Sequence, residues 1–141
     1  MKKTASAHWQ GGIKDGKGTL STESGALRDS PYGFNTRFED KPGTNPEELL
    51  GAAHAGCFSM ALSKELGDAG MNAESIDTQA QVTLDKVEGG FEISAVHLKL
   101  HAKIPGAERS AFEQAVETAK TGCPVSKVLN ATIALDAVLE N

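Results

Sequence analysis

The sequence predicts an α+β fold with elements in the order β-β-β-α-β-β-α-α-β. Three observations carry this expectation. A strong helix start, Asn45-Pro46-Glu47-Glu48, opens the most apolar stretch of the chain. Two alternating runs, Ser75–Val87 and Phe91–Ile104, are joined by Glu88-Gly89-Gly90. Strand-like runs are grouped at the start and the middle instead of alternating singly with helices, which disfavours a wound parallel sheet. The 141 residues suffice for one domain with a real core and are too few for two comfortable ones, so 1–141 is expected to be a single domain.

Thr4–Gln10 and Lys17–Glu23 are short strand-like runs, and Gly11, Gly12, Asp15 and Gly16 between them suggest a hairpin. Tyr32–Phe38 reads as a third strand, and 40–44 as a turn. Asn45 then caps a helix, Pro46 has the φ wanted at the first helical position, and Glu47 and Glu48 suit the positive end of the dipole. Glu48 also has capping-box spacing from Asn45. This helix is expected to end near Gly67 or Gly70. Its small residues, Gly51, Ala52, Ala53, Ala55, Gly56 and Ala61, predict a close neighbour, either the domain's own sheet or the same helix of a second copy.

The runs from Ser75 and from Phe91 form a hairpin with one wet face, which places His97 and His101 on the polar side. Ala111, Phe112, Ala115, Val116 and Ala119 have helical spacing within Ala107–Lys120. Gly122 closes that helix, Pro124–Leu129 starts a short one, and Thr132–Leu139 is a last strand.

Composition excludes several partners. Net charge is −5 and aromatic residues make up 5%, so nucleic acid and an anionic membrane are not expected. The apolar fraction of 39% and charged fraction of 23% are those of an ordinary globular protein. The basic start Met-Lys-Lys-Thr-Ala is followed by no apolar run, and Leu49–Leu62 is too short to span a bilayer, so the expected location is the cytoplasm. Gly11–Gly18 has phosphate-loop glycine spacing, yet Gly18 stands where the metal-binding hydroxyl belongs and no helix follows. Asn130-Ala-Thr132 is a formal glycosylation sequon without consequence in a chain that is not exported.

The chain has two cysteines, Cys57 and Cys123. A dithiol split so widely in a cytoplasmic chain suggests redox chemistry more than a structural staple. Cys57 lies about three turns into its helix, beyond the reach of the dipole, and needs a separate cation if it is to react as a thiolate. Cys123 precedes Pro124 at a helix start, so local position ranks it as the more acidic thiol. Two other uses stay open. His54 and Cys57 share a helix face and, with Cys123, suggest a zinc set, although no Cys-x-x-Cys pair supports it. A small-ligand binding module is the other, with two inert buried thiols and a pocket at a dimer seam.

The runs Tyr32-Gly-Phe-Asn-Thr-Arg37-Phe, Gly43-Thr-Asn-Pro-Glu-Glu-Leu-Leu-Gly-Ala-Ala-His-Ala-Gly-Cys57-Phe-Ser-Met and Gly122-Cys123-Pro-Val-Ser resemble the OsmC branch of the OsmC/Ohr family. The resemblance extends to Ala7-His-Trp-Gln-Gly and Ser75-Ile-Asp-Thr. It implies an intertwined homodimer with antiparallel sheets wrapped around central helices. It further implies a thiol peroxidase for organic hydroperoxides and hydrogen peroxide, re-reduced by an external dithiol of lipoyl type, with no metal or organic cofactor required. By motif match Cys57 is implied as the peroxidatic cysteine and Cys123 as the resolving one, with Arg37 and Glu47 beside the reactive sulfur. That assignment reverses the local ranking of the thiols. Phe34, Phe58 and Met60 supply apolar surface suited to bulky hydroperoxides.

Overall fold

The computed structural model describes residues 1–141, which divide into two compact units, Met1–Leu49 and Leu50–Asn141. The first unit is a three-stranded antiparallel sheet in the order β1 (Ala5–Gln10), β2 (Lys17–Thr22), β3 (Ser30–Tyr32). The Gly11–Gly16 segment closes the expected hairpin and sets Ala5 opposite Thr22 and Gln10 opposite Lys17. The Trp9 and Tyr32 rings approach to 5.5 Å between centroids, a tilted aromatic pair across the sheet.

The third strand is shorter than expected. Of the run Tyr32–Phe38 only Tyr32 belongs to the strand, and Phe34–Phe38 form a short helix, α1. Local bonds explain the difference. The Gly33 N–H donates to Thr36 Oγ1 at 2.9 Å, and the Thr36 hydroxyl donates back to the Gly33 carbonyl at 3.0 Å. Phe34 and Phe38, one turn apart, bring their rings to 4.9 Å. Aromatic content favoured a strand in the sequence, and these one-turn contacts override it.

Helix α2 (Pro46–Asp68) starts and ends where its signals place it. Asn45 Oδ1 accepts the Glu48 backbone N–H at 2.8 Å. The second unit takes the helix from Leu50 onward and sets it with a sheet of β4 (Ser75–Val87), β5 (Gly90–Lys103) and β6 (Thr132–Glu140), in that order. β4 and β5 are the antiparallel hairpin, turned at Gly89 and Gly90, whose φ values of 85° and 154° are strained for any other residue. β6 pairs with β5 in parallel, Ala95 opposite Thr132 and Lys103 opposite Glu140, so this sheet is mixed and not purely antiparallel. The physical reason is the connection: α3 (Arg109–Gly122) and α4 (Pro124–Val128) carry the chain back to the starting end of β5, and a crossover of that length yields a parallel partner.

The core lies in the second unit. Phe58, Leu62 and Leu66 from α2 meet Val96, Leu98, Leu100 and Ala102 from β5 and Phe112, Ala115, Val116 and Ala119 from α3. Each fully buried leucine or phenylalanine contributes about 1.5–3 kcal/mol relative to exposure. Gly51 lets β4 approach α2 closely, since a Cβ there would stand 3.3 Å from the Ala80 carbonyl oxygen. Part of the small-residue run therefore serves the unit's own sheet. Ala52, Ala53, Gly56 and Met60 stay exposed. On β5, His97, Lys99 and His101 alternate with the buried residues, and His97 Nε2 lies 2.7 Å from Asp136 Oδ2.

Candidate active site

The fold brings the two cysteines together. Cys57 sits in the fourth turn of α2, half-buried against the core. Cys123 is fully buried between α3 and α4. Gly122 ends α3, the Cys123 N–H caps it by donating to the Ala119 carbonyl at 3.0 Å, and Pro124 opens α4. Both sulfurs are free thiols, and they lie close enough to perturb each other's ionisation.

Their electrostatics differ. Burial pushes the Cys123 thiol up, but the neighbouring Cys57 thiol, the Ser126 and Val125 backbone N–H groups and the Ser126 hydroxyl outweigh it and leave Cys123 below its ordinary value. Burial, and then the neighbouring Cys123, hold Cys57 above its ordinary value. The ranking expected from local position thus holds within the chain. In its own unit Cys57 has no cation to reverse it.

Arg37 and Glu47 meet in the first unit. Arg37, in the last turn of α1, places Nε 3.1 and 3.2 Å from the two carboxylate oxygens of Glu47, in the first turn of α2, with its Nη2 also engaged. The fork matches both oxygens and fixes the guanidinium plane. An apolar cleft of Trp9, Ile13, Tyr32, Phe34, Phe38 and Pro46 adjoins Arg37. Phe34 therefore lines a cleft, Phe58 is wholly in the core, and Met60 is 77% exposed.

His54 belongs to the core and not to a metal set: no group of three His, Cys, Asp or Glu side chains is placed to hold a metal ion. Its Nε2 meets Ser126 Oγ at 2.7 Å. Sequence reasoning did not single out Ser126; the available signal was its place three residues after Cys123.

The OsmC-like protein family matches residues 38–137, a span that takes in Glu47, Cys57 and Cys123 and begins one residue after Arg37. The chain belongs to the OsmC family. This OsmC-family chain is 59% identical over 141 residues to "Peroxiredoxin OsmC" of Escherichia coli, covering 100% of this chain and 99% of that one. It is 30% identical over 117 residues to the organic hydroperoxide resistance protein OhrB of Bacillus subtilis, covering 82% and 84%. The crystal structure of OhrB from Bacillus subtilis superposes with a TM-score of 0.71 at 28% identity, covering 96% of this chain and 98% of that one. An OsmC-like protein of unknown function from Vibrio cholerae, with a TM-score of 0.78 at 15% identity, shares the fold. The OsmC-family chain is a cysteine-based thiol peroxidase, as the paired free thiols and these relatives agree. None of its helices is long and apolar enough to cross a membrane.

Proposed function

We propose that the chain reduces organic hydroperoxides, and hydrogen peroxide, with Cys57 as the peroxidatic thiol and Cys123 as the resolving one. The observation that supports this most directly is the neighbouring pair of free thiols, one half-buried and one fully buried. A peroxide reaches the less buried sulfur first, and the other lies beside it. The Cys57 thiolate attacks the terminal peroxide oxygen, the O–O bond breaks, and the alkoxide leaves as the alcohol after taking a proton. Cys57 becomes a sulfenic acid. Cys123 attacks its sulfur, water leaves, and a disulfide remains for an external dithiol, of lipoyl type, to reduce.

Arg37 supplies the cation that Cys57 lacks, and Glu47 orients it. Glu47 and Cys57 are ten residues apart on an unbroken helix, about 15 Å along its axis. Within one chain they do not share a site. In a homodimer with α2 packed antiparallel across a two-fold, the partner's Glu47 and Arg37 come to Cys57. The exposed small face of Ala52, Ala53 and Gly56 suits that approach. On this reading both compact units serve one reaction and the chain acts as a single functional domain in the cytoplasm. The apolar cleft beside Arg37 favours a hydroperoxide with a hydrocarbon group.

One equivalent of cumene hydroperoxide should remove two thiols per chain with no mass gain from sulfinic acid. Cys57→Ser should abolish peroxide reduction, and Cys123→Ser should permit one oxidation of Cys57 without turnover. Normal turnover by Cys57→Ser refutes the reading.

A further inference from the structure

Behind the thiol pair stands a second polar group that the redox cycle above does not use. His54 is wholly buried, one helical turn before Cys57 on α2. Its Nε2 lies 2.7 Å from Ser126 Oγ, across 72 positions of sequence, while its Nδ1 is buried without a partner. Ser126 stands three residues after Cys123 in the first turn of α4, close enough for its hydroxyl to bear on the ionisation of the Cys123 sulfur. A hydroxyl has one proton to give. If Ser126 donated it to His54 Nε2, Cys123 would lose a donor and an Nδ1–H would be stranded in the core, which costs the desolvation of an unmade hydrogen bond. With the proton on Nε2, the imidazole donates to Ser126, Ser126 donates to the sulfur, and every donor is satisfied. Burial also pushes the imidazole pKa down, which keeps it neutral and leaves Nδ1 bare.

We propose that His54 and Ser126 are positioning residues for Cys123, forming a relay in which the buried imidazole donates through Nε2–H to Ser126 and so aims the serine O–H at the Cys123 sulfur. The inference rests on the resolving role proposed for Cys123. The relay favours Cys123 as a thiolate at two steps. In resolution that thiolate forms a bond to the sulfur of the Cys57 sulfenic acid, the S–O bond breaks, and the hydroxyl departs with a proton as water. In reduction an external dithiol attacks the more accessible Cys57 sulfur, the S–S bond breaks, and its electron pair returns to Cys123, where the serine O–H receives it. The titratable groups facing Cys123 are Cys57 and, through Ser126, His54, both from α2. From α4 come the Ser126 hydroxyl and the backbone N–H groups of Val125 and Ser126, and Lys120 of α3 is engaged by Glu117 at 3.5 Å.

The test titrates Cys123 alone, by ultraviolet thiolate absorbance, in the full chain carrying Cys57→Ser. Adding Ser126→Ala should move the midpoint up by about one pH unit, a tenfold loss of thiolate below the midpoint. Ser126→Thr, which keeps the hydroxyl, should restore it. His54→Leu should shift the midpoint in the same direction, and His54→Gln, which retains an N–H donor and guards against misfolding of the leucine variant, should shift it less. An unmoved midpoint in Ser126→Ala, or a threonine variant as displaced as the alanine one, overturns the relay. With Cys57 restored, trapping of sulfenic acid after one equivalent of hydroperoxide separates the two ideas. No oxidation of Cys57 in the parent chain sinks the peroxidase assignment, whereas prompt oxidation with a disulfide step equally fast in parent and Ser126→Ala sinks the relay.

Discussion

Replacing Glu47 with alanine separates a functional ion pair from a stabilising one. The Arg37–Glu47 pair is geometrically good, yet the Arg37 side chain is 37% exposed, so solvent screens its attraction. Such a pair contributes at most about 1 kcal/mol to stability. Glu47→Ala should therefore lower the urea midpoint only slightly and leave the fold intact. Its chemical effect should be much larger. Without the carboxylate fork the guanidinium loses its fixed plane, and loss of a positioned cation or a displacement of about 1 Å costs on the order of 100-fold in rate. That corresponds to about 2.7 kcal/mol of transition-state stabilisation, clearly beyond the stability term. The assay is the rate of Cys57 oxidation by cumene hydroperoxide in single turnover, measured beside a urea unfolding curve. An oxidation rate within twofold of the parent chain refutes the role given to the pair. A matching collapse of stability would instead make Glu47 a structural residue.

Two further outcomes follow from the geometry. Mixing Cys57→Ser chains with Glu47→Ala chains should restore about one quarter of parental activity, because half the random dimers are mixed and each has one intact site of two; no recovery above the separate variants refutes the composite site. His54 titrates below its ordinary value because it is buried. The unfolded chain therefore takes up a proton that the folded one refuses, so this contribution to stability is fully present above the ordinary histidine range and is lost as pH falls below it. Urea midpoints should drop between pH 7 and 5 more steeply in the parent chain than in His54→Gln, and parallel profiles would contradict the buried neutral imidazole.

What the residues alone determined is local. The start of α2 was legible because Asn45, Pro46 and Glu48 satisfy the helix's own unpaired donors, a matter of neighbours in sequence. The β4–β5 hairpin was legible because Gly89 and Gly90 permit the turn and the side chains alternate with period two. The acidity order of the thiols within one chain was legible too, since Cys123 owes its lowered value in part to the backbone N–H groups that follow Pro124. No local signal gave Arg37 and Glu47 a place in the proposed site; that assignment comes from family resemblance. Tertiary structure decided what depends on partners remote along the chain. The helix at Phe34–Phe38 came instead from the short-range Gly33–Thr36 bonds; tertiary structure set β6 parallel to β5 through the crossover of α3 and α4. It joined Cys57 to Cys123, and His54 to Ser126, across more than sixty residues each. Periodicity records which face of an element is buried, and only packing selects the residue that waits on the other side.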